Sequence, residues 1–505
     1  MKLAIYQTSD LHGYVNPSNY IEHRDLGILK IASFILEDEK KYDYSLKIDC
    51  GDLIQGSPMT YYLSKNNFER NPIVSLLNDV GFDFFVIGNH EFNYGLDYLY
   101  NSYREVEGKI LNSNIDGLDL NTKPFSIVSY GGFRVAIVGA STKFIPNWEK
   151  SETIEKISFM DPVEEFAKYE SYIVNHSDMI IYAYHGGFEK ALDGSGAITE
   201  KQTGENQASQ LIETYDTIDL VLNGHQHRSF IEKINGVVCS QPMNNGMSFA
   251  KFVVDTETGV ISYELIDTQG IKTPINESLS SRFTQLNKEI ELYLDRQIGH
   301  FERNILLDDL FMARLEGHPF INFLHQVQLS VSGADFSSVC LFDSAIGFKE
   351  NVTIRDVLIN YPYPNTLKVL ELTGYKIKEA VEKSATYFEI DDKGNIVISE
   401  EFLKPKLQNY NYDMYYGFDY EVDLNLPKGN RVVSITINGV DLELEKKYTI
   451  VLNNYRATNT SIYPAYEGAV LIKDINTDVS ELIIDFFNAH GNVKVNCKRN
   501  YKFLK

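Results

Sequence analysis

A chain of 505 residues is longer than one hydrophobic core usually serves, so at least two domains are expected. Its formal net charge of −23, from 70 acidic against 47 basic side chains, repels polyanions at long range and argues against nonspecific binding to nucleic acid or to anionic membranes. Any phosphate it handles is then small and locally captured, and with basic residues outnumbered that capture calls for bound cations.

The chain opens Met1-Lys2-Leu3-Ala4-Ile5-Tyr6-Gln7-Thr8-Ser9-Asp10, which already reads as a strand, with no charged and apolar leader ahead of it. No apolar run approaches the roughly 18 residues of a membrane span. Cys50, Cys239, Cys340 and Cys497 lie far apart without a CxxC pair, the usage of reduced thiols. A cytoplasmic location is therefore expected, although a trimmed exported protein would look the same.

From residue 1 to 270, short apolar strands alternate with helical stretches, the pattern of an α/β sheet packed between helices. Leu3 to Thr8 runs into Asp10-Leu11-His12, and Leu46 to Asp49 runs into Gly51-Asp52. Phe82 to Ile87 runs into Gly88-Asn89-His90-Glu91. Met179 to Tyr184 delivers His185, and Ile218 to Asn223 delivers Gly224-His225-Gln226-His227. Strand ends of this kind are where α/β sheets bind and react. Five of the eleven histidines fall at them, which packing alone does not readily produce.

Helices are expected along Ile28, Ile31, Phe34 and Ile35 and along Val163, Phe166, Tyr169 and Ile173, the second capped by Asp161-Pro162. Residues 271–298 turn polar at helical spacing and are expected to form a linker helix. Residues 299–505 have a different texture, with helices expected at Phe320 to Leu329 and Lys376 to Tyr387 and a β-rich segment from Val432 to Val451. The tyrosine-dense stretch from Asn409 to Asp423 could serve packing or base stacking.

Hydrolysis of a phosphate ester at a dinuclear centre needs ligands for two divalent ions roughly 3.5 to 4 Å apart, a bridging group, and a water made acidic between them. Asp10 and His12 could reach one ion, completed by His227. Asp52, turned sharply by the preceding glycine, is the candidate bridge, and Asn89, His185 and His225 would hold the second ion. Oxygens and imidazoles without thiolate favour Mn, Zn, Fe or similar ions and do not choose among them. His90 would protonate the leaving oxygen or steady transition-state charge. Singly, Asp10 or Asp52 could equally cap a helix and His185 could be a satisfied core residue. The ordered set at five strand ends is what favours metal. Cys50 reads as a buried strand residue, and His23, His176, His300, His318, His325 and His490 lack such company.

The order Asp10-x-His12, Gly51-Asp52, Gly88-Asn89-His90-Glu91, His185, Gly224-His225-x-His227 resembles the calcineurin-like metallophosphoesterase superfamily. The resemblance implies a four-layer α-β-β-α domain with these seven ligands and with His90 as a catalytic histidine that binds no metal. In most nucleotidase members an aspartate three positions later orients that histidine, whereas here the position is Asn93.

Gly333-Ala334-Asp335, Tyr361-Pro362-Tyr363-Pro364-Asn365-Thr366-Leu367 and Asn453-Asn454-Tyr455-Arg456-Ala457 are similar to the nucleotidase C-terminal domain, which implies an α+β substrate-binding domain. There two aromatic rings clamp the base, and the matching positions are Tyr363 and Tyr455, with Asn365 beside the first. Typical 5′-nucleotidases carry an arginine-bearing loop where this chain has Asp343-Ser344-Ala345-Ile346-Gly347-Phe348. Gly88 to Gly95, Gln326-Val327-Gln328, Tyr410-Asn411-Tyr412-Asp413 and Asn454-Tyr455-Arg456-Ala457 are instead similar to 2′,3′-cyclic-nucleotide 2′-phosphodiesterase/3′-nucleotidases. One departure is Asn459-Thr460-Ser461-Ile462-Tyr463, where that branch has a glycine-rich run. The expectation is a hydrolase with two divalent metal ions and a nucleotide substrate, without a nucleic-acid polymer or membrane partner. A 5′-nucleotidase or nucleotide-sugar hydrolase of the same fold, or a silent nucleotide-binding protein, are the alternatives.

Overall fold

Alternating side chains in six short strands decide the architecture of the N-terminal half. These are β1 (Lys2–Thr8), β2 (Tyr44–Asp49), β3 (Phe84–Val86), β4 (Phe133–Ser141), β5 (Met179–His185) and β6 (Leu220–Asn223). In the computed structural model the residues described are 1–505 apart from 67, 194, 200, 201, 364, 405, 459, 476 and 496, so Pro364 and Asn459 of the motifs above lie outside them. Two units are formed, Met1–Glu291 and Leu292–Lys505.

Among the described residues of the first unit, one sheet has seven strands and contains β1-β2-β3 side by side, and a second has six and contains β6-β5-β4. Within each trio the strands run parallel, so their C-terminal ends share one edge of each sheet. Leu3, Ile5, Leu46, Ile48, Phe84 and Val86 of the first sheet are buried in one cluster with Val135, Ile137, Ile181, Ala183, Leu220 and Leu222 of the second. Two apolar faces thus close on each other, the sandwich that a period of two dictates.

The opposite set on the second sheet, Ala136, Val138, Ile180, Tyr182 and Val221, packs under Val163, Phe166 and Ile173. Those three belong to a helix, Pro162–His176, whose N-cap Asp161 accepts from Val163 N and Glu164 N. On the outer face of the first sheet, Tyr6 donates to Asp38 at 2.9 Å, at the end of the helix Ile28–Asp38, which buries Ile28, Leu29, Ile31 and Ile35. The layers are therefore helix, sheet, sheet, helix.

The expected linker helix is two helices, Glu277–Ser281 and Thr284–Leu294, and Ile298 already lies in the strand Gln297–Phe301. The break has a local cause. Ser280 and Ser281 donate their hydroxyls back to Glu277 O and Ser278 O, the self-satisfaction that makes serine a weak helix former. Asn276 N donates to Ser33 Oγ at 2.8 Å, which ties the start of this segment to the first unit.

The second unit is an α+β domain. Its five-stranded sheet includes Phe336–Cys340, Leu367–Thr373 and Lys447–Asn453, flanked by the helices Pro319–Ser332 and Gly374–Ser384. Tyr387 falls beyond the helix expected to contain it, yet is fully buried and stacks on Tyr412 at 4.4 Å. Among the described residues no helix is long and apolar enough to cross a membrane.

Asp161 caps its helix while also accepting from Lys143 and Gln207. Asp161→Ala should cost about 1–2 kcal/mol, read as a lower urea midpoint with an unchanged slope. An unchanged midpoint would mean that neither the cap nor its partners contribute.

Candidate metal centre

The backbone brings the candidate ligands together before any side chain acts. Cys50 N donates to Thr8 O, Asp10 N to Gly51 O at 2.9 Å, and His12 N to Asp52 O at 2.8 Å, so the turns after β1 and β2 are zipped side by side. His225 N, after β6, reaches Asp10 Oδ1 at 3.0 Å and joins the second sheet to this edge. Asp10, His12, Asp52, His225 and His227 all have φ between 48° and 75°, a left-handed region that side chains beyond glycine seldom adopt. Gly51 has φ 94°, and a Cβ there would lie 2.6 Å from Gly88 N, so the closeness of the β2 and β3 turns requires its missing side chain.

Glu91 holds this arrangement from beneath. Fully buried, it accepts from Leu53 N at 2.6 Å and Ile54 N at 3.4 Å on one oxygen, and from Gly88 N at 2.6 Å and Asp52 N at 2.9 Å on the other. One carboxylate thereby fixes both turns that carry Asp52 and Asn89.

The side chains then converge in two groups. Asp10, His12 and His227 can direct ligand atoms to one point, and so can Asp10, Asp52 and His185, each set lying within 4.8 Å of itself. His12 holds its Nδ1 at 2.7 Å from Gln55 O, and His185 its Nδ1 at 2.7 Å from Cys50 O. Each carbonyl only accepts, so each Nδ1 carries the proton and each Nε2 presents a lone pair inward. Yet His12 Nε2 lies 3.0 Å from His227 Nε2, and His185 Nε2 lies 3.0 Å from the Asn89 amide oxygen. His225 repeats the pattern in mirror image, with Nε2 at 3.1 Å from Glu205 and Nδ1 at 2.8 Å from that same Asn89 oxygen. Asp52 Oδ2 is buried and makes no hydrogen bond among the described residues, while standing 3.2 Å from His185 Nε2 and 3.9 Å from His90 Nε2. Acceptors facing acceptors around an orphaned carboxylate oxygen fit divalent cations.

The protonation states agree. Burial opposes ionisation of Asp10, but His227 and His185 pull it down to about 2, and Asp52 is held well below the usual carboxylate range by His185 and His90 against its own burial. Burial together with His227 lowers His12 to about 4, and burial lowers His225, so both rings are neutral donors at pH 7. Despite burial, Asp52 raises His185 to about 10, and a cation bound between them would take the place of the proton on its Nε2 and leave the ring a neutral donor.

His90 stands beside these groups rather than among them. Its backbone N donates to Asp52 Oδ1 at 2.8 Å, and its ring meets His12 edge-on at 5.3 Å. Its Nδ1 lies 2.6 Å from Asn93 Oδ1, and Asn93 Nδ2 in turn donates to Glu149. Desolvation lifts the Glu149 carboxyl to about 7 against the pull of Asn93. In the sequence Glu91 stands out only as the last residue of Gly88-Asn89-His90-Glu91, without a role of its own, and Glu149, Glu205 and Trp148, whose ring lies 5.3 Å from that of His225, do not stand out at all. Glu149 and Glu205 sit in loops without periodicity, and the one available signal was an asparagine at position 93 where a carboxylate would be expected.

In the second unit, three segments meet at one end of the five-stranded sheet. Thr366 N donates to Asn454 Oδ1 at 3.0 Å and Asn454 N to Thr366 O at 2.9 Å, so the turns bearing Tyr363 and Tyr455 adjoin. Tyr363 is 42% exposed and leans on Phe342 at 4.9 Å, while Tyr455 lies 6.3 Å from Tyr410. Asn365 turns its side chain to the Tyr361 hydroxyl. Arg456, fully buried, donates to Asp413 at 2.8 Å and to Tyr410 O at 3.0 Å, with its guanidinium 4.5 Å from the Tyr463 ring.

Comparison with known proteins agrees with both halves. Residues 3–229 match the calcineurin-like phosphoesterase family, and residues 297–468 match the 5′-nucleotidase C-terminal domain. A Staphylococcus aureus structure provisionally named a 5′-nucleotidase is 37% identical, with a TM-score of 0.92 and 100% of both chains covered. The trifunctional nucleotide phosphoesterase protein YfkN of Bacillus subtilis is 24% identical over 99% of this chain, which spans 38% of that protein. A 2′,3′-cyclic-nucleotide 2′-phosphodiesterase/3′-nucleotidase of Haemophilus influenzae is 25% identical over 99% of this chain and 87% of its own length.

Trp148 is the single tryptophan of the chain, so the centre has an intrinsic reporter. Titration with Mn²⁺, a paramagnetic quencher, should give a saturable loss of indole fluorescence, and Asn89→Ala and Asp52→Asn should weaken its midpoint at least tenfold. A quench unchanged in both variants would remove these residues from the ligand set.

Proposed function

Since the chain belongs to the calcineurin-like phosphoesterases that carry a 5′-nucleotidase C-terminal domain, and is therefore a metal-dependent phosphoester hydrolase, we propose that it opens 2′,3′-cyclic nucleotides and then removes the 3′-phosphate of the resulting nucleoside monophosphate. The observation carrying this choice is the interlock of two motifs shared with that branch: Arg456 of Asn454-Tyr455-Arg456-Ala457 is fastened to Asp413 and Tyr410 O of Tyr410-Asn411-Tyr412-Asp413. The loop that bears a substrate-gripping arginine in typical 5′-nucleotidases has none here. The nearby Arg314 is buried and spent on Asp343 at 2.6 Å and Leu341 O at 2.8 Å.

Asp10, His12 and His227 would hold one divalent ion and Asn89, His185 and His225 a second, with Asp52 in reach of both sets. When bound, such ions supply positive charge to the phosphoryl oxygens and make a water acidic at neutral pH. The chain's own residues do the rest. Gln55 O, Cys50 O and Glu205 fix the ring orientations of His12, His185 and His225. His90, its Nδ1 bonded to Asn93, protonates the oxygen that leaves. Tyr363 and Tyr455 stack the base, a contact worth about 1–3 kcal/mol that tolerates different bases.

His90→Ala should retain the Mn²⁺ quench and lower kcat by about a hundredfold or more. Loss of the quench would make His90 a ligand instead. Tyr363→Ala should raise KM for nucleotides by roughly fivefold to a hundredfold and spare a small aryl phosphate. Equal damage to both substrates would sink the stacking role. The branch itself is decided by Mn-supplemented turnover of 2′,3′-cyclic AMP, 3′-AMP and 5′-AMP side by side. Turnover on 5′-AMP above the other two would make the chain a 5′-nucleotidase, the name its Staphylococcus aureus relative carries.

A further inference from the structure

The loop that follows β4 carries a carboxylate to the back of His90. Ile145–Asn147 form a tight turn, Trp148 N and Glu149 N both donate to Ile145 O, and Lys143 anchors the loop by an ion pair of 2.5 Å to Asp161. Glu149 is thereby held where Asn93 Nδ2 donates to it, and Asn93 Oδ1 stands 2.6 Å from His90 Nδ1.

An asparagine amide alone cannot set the state of a histidine, because it can stand either way up. An ionised carboxylate only accepts, so it turns the NH2 toward itself and the carbonyl oxygen toward the ring. That oxygen also only accepts, so His90 Nδ1 must carry a proton. Nε2 is then the atom that gains and gives the second proton, on the side of the ring that lies 3.9 Å from Asp52. With the amide reversed, its NH2 would face Nδ1 and disfavour the imidazolium needed to donate.

We infer that Glu149 is a positioning residue for His90, acting through Asn93 as a three-member relay that replaces a direct carboxylate partner. The inference rests on the reading of His90 as proton donor. In that step the bond from phosphorus to the leaving oxygen breaks, its electron pair stays on that oxygen, and His90 Nε2–H supplies the proton. A ribose hydroxyl needs that proton, whereas p-nitrophenolate leaves without it. The relay therefore matters for nucleotides and hardly at all for an activated aryl ester.

The test is kcat at pH 8.5, where Glu149 is ionised, for Mn-loaded wild type, His90→Ala, Glu149→Gln, Asn93→Asp and the double variant Asn93→Asp/Glu149→Gln. The substrates are bis(p-nitrophenyl) phosphate and whichever of 3′-AMP or 5′-AMP wild type turns over faster. Glutamine both donates and accepts, so Glu149→Gln should cost about tenfold to a hundredfold on the nucleotide and less than about threefold on the aryl ester. Asn93→Asp gives His90 its own carboxylate, so adding Glu149→Gln to it should change nucleotide turnover less than about threefold. If His90→Ala lowers both substrates alike, the proton-donor reading falls and the inference with it. If His90→Ala discriminates between them and Glu149→Gln does not, the inference alone is overturned. Should Glu149→Gln lose the Trp148 quench through misfolding, the double variant decides: near-Asn93→Asp turnover supports the relay, and loss on both substrates overturns it.

Discussion

The constraint on which the first unit depends is a surplus of lone pairs pointing inward where the ends of two sheets meet. Two ionised aspartates, two neutral imidazoles and an amide oxygen share one small volume, and Asp52 pulls on the neighbouring His185 strongly enough to raise it despite burial. Such a cluster repels itself unless cations are added. The fold nevertheless keeps five of the candidate ligands at positive φ, each costing of order 1–3 kcal/mol. Strain of that kind persists where the surroundings over-determine the backbone. Here the surroundings are the zipped turns after β1 and β2 and the four amides gathered by Glu91.

Much of this is legible in the sequence because the chemistry sits on regular elements. Uninterrupted apolar runs such as Met179–His185 read as strands, and the side chains that follow them are brought to one edge by parallel pairing. The sequence does not reveal that β1, β2 and β3 lie in one sheet and β5 and β6 in another, since apolar spacing reports which side chains are buried and not which strand lies beside which. It also does not reveal the break near Arg282, where serine hydroxyls compete with the helix at a scale finer than hydrophobic spacing. Glu149, Glu205 and Trp148 escape for a different reason. Their loops follow β4 and β5 without any period, and only tertiary placement gives them partners.

The second unit illustrates a different use of charge. A buried pair such as Arg456 with Asp413 returns little net stability, because desolvation offsets most of the attraction. Its effect is geometric. Asp413 also accepts from Ser338, and Arg456 N is fixed by Asn453, so the strand end, the Tyr410 turn and the Tyr455 helix cannot move independently. Side chains whose value is a fixed angle, such as an aromatic ring presented to a base, gain from such fastening more than from added apolar area.

The relay inferred behind His90 follows from the same electrostatics as the candidate metal centre. Asp10, Asp52 and Glu91 already place three carboxylates around this edge, in a protein of net charge −23. A further carboxylate in direct contact with His90 would lie close to Asp52. At an effective dielectric constant of 20, like charges about 4 Å apart repel by about 4 kcal/mol, and doubling the distance halves that. An intervening neutral amide keeps the orienting power of the charge, because a carboxylate at its far end still dictates which way the amide stands. It also moves the charge itself one residue outward, to Glu149 on the neighbouring loop. Asparagine at position 93 is thus compatible with a working proton donor when a carboxylate stands behind it, and the orientation of one amide becomes the link between that loop and the chemistry of His90.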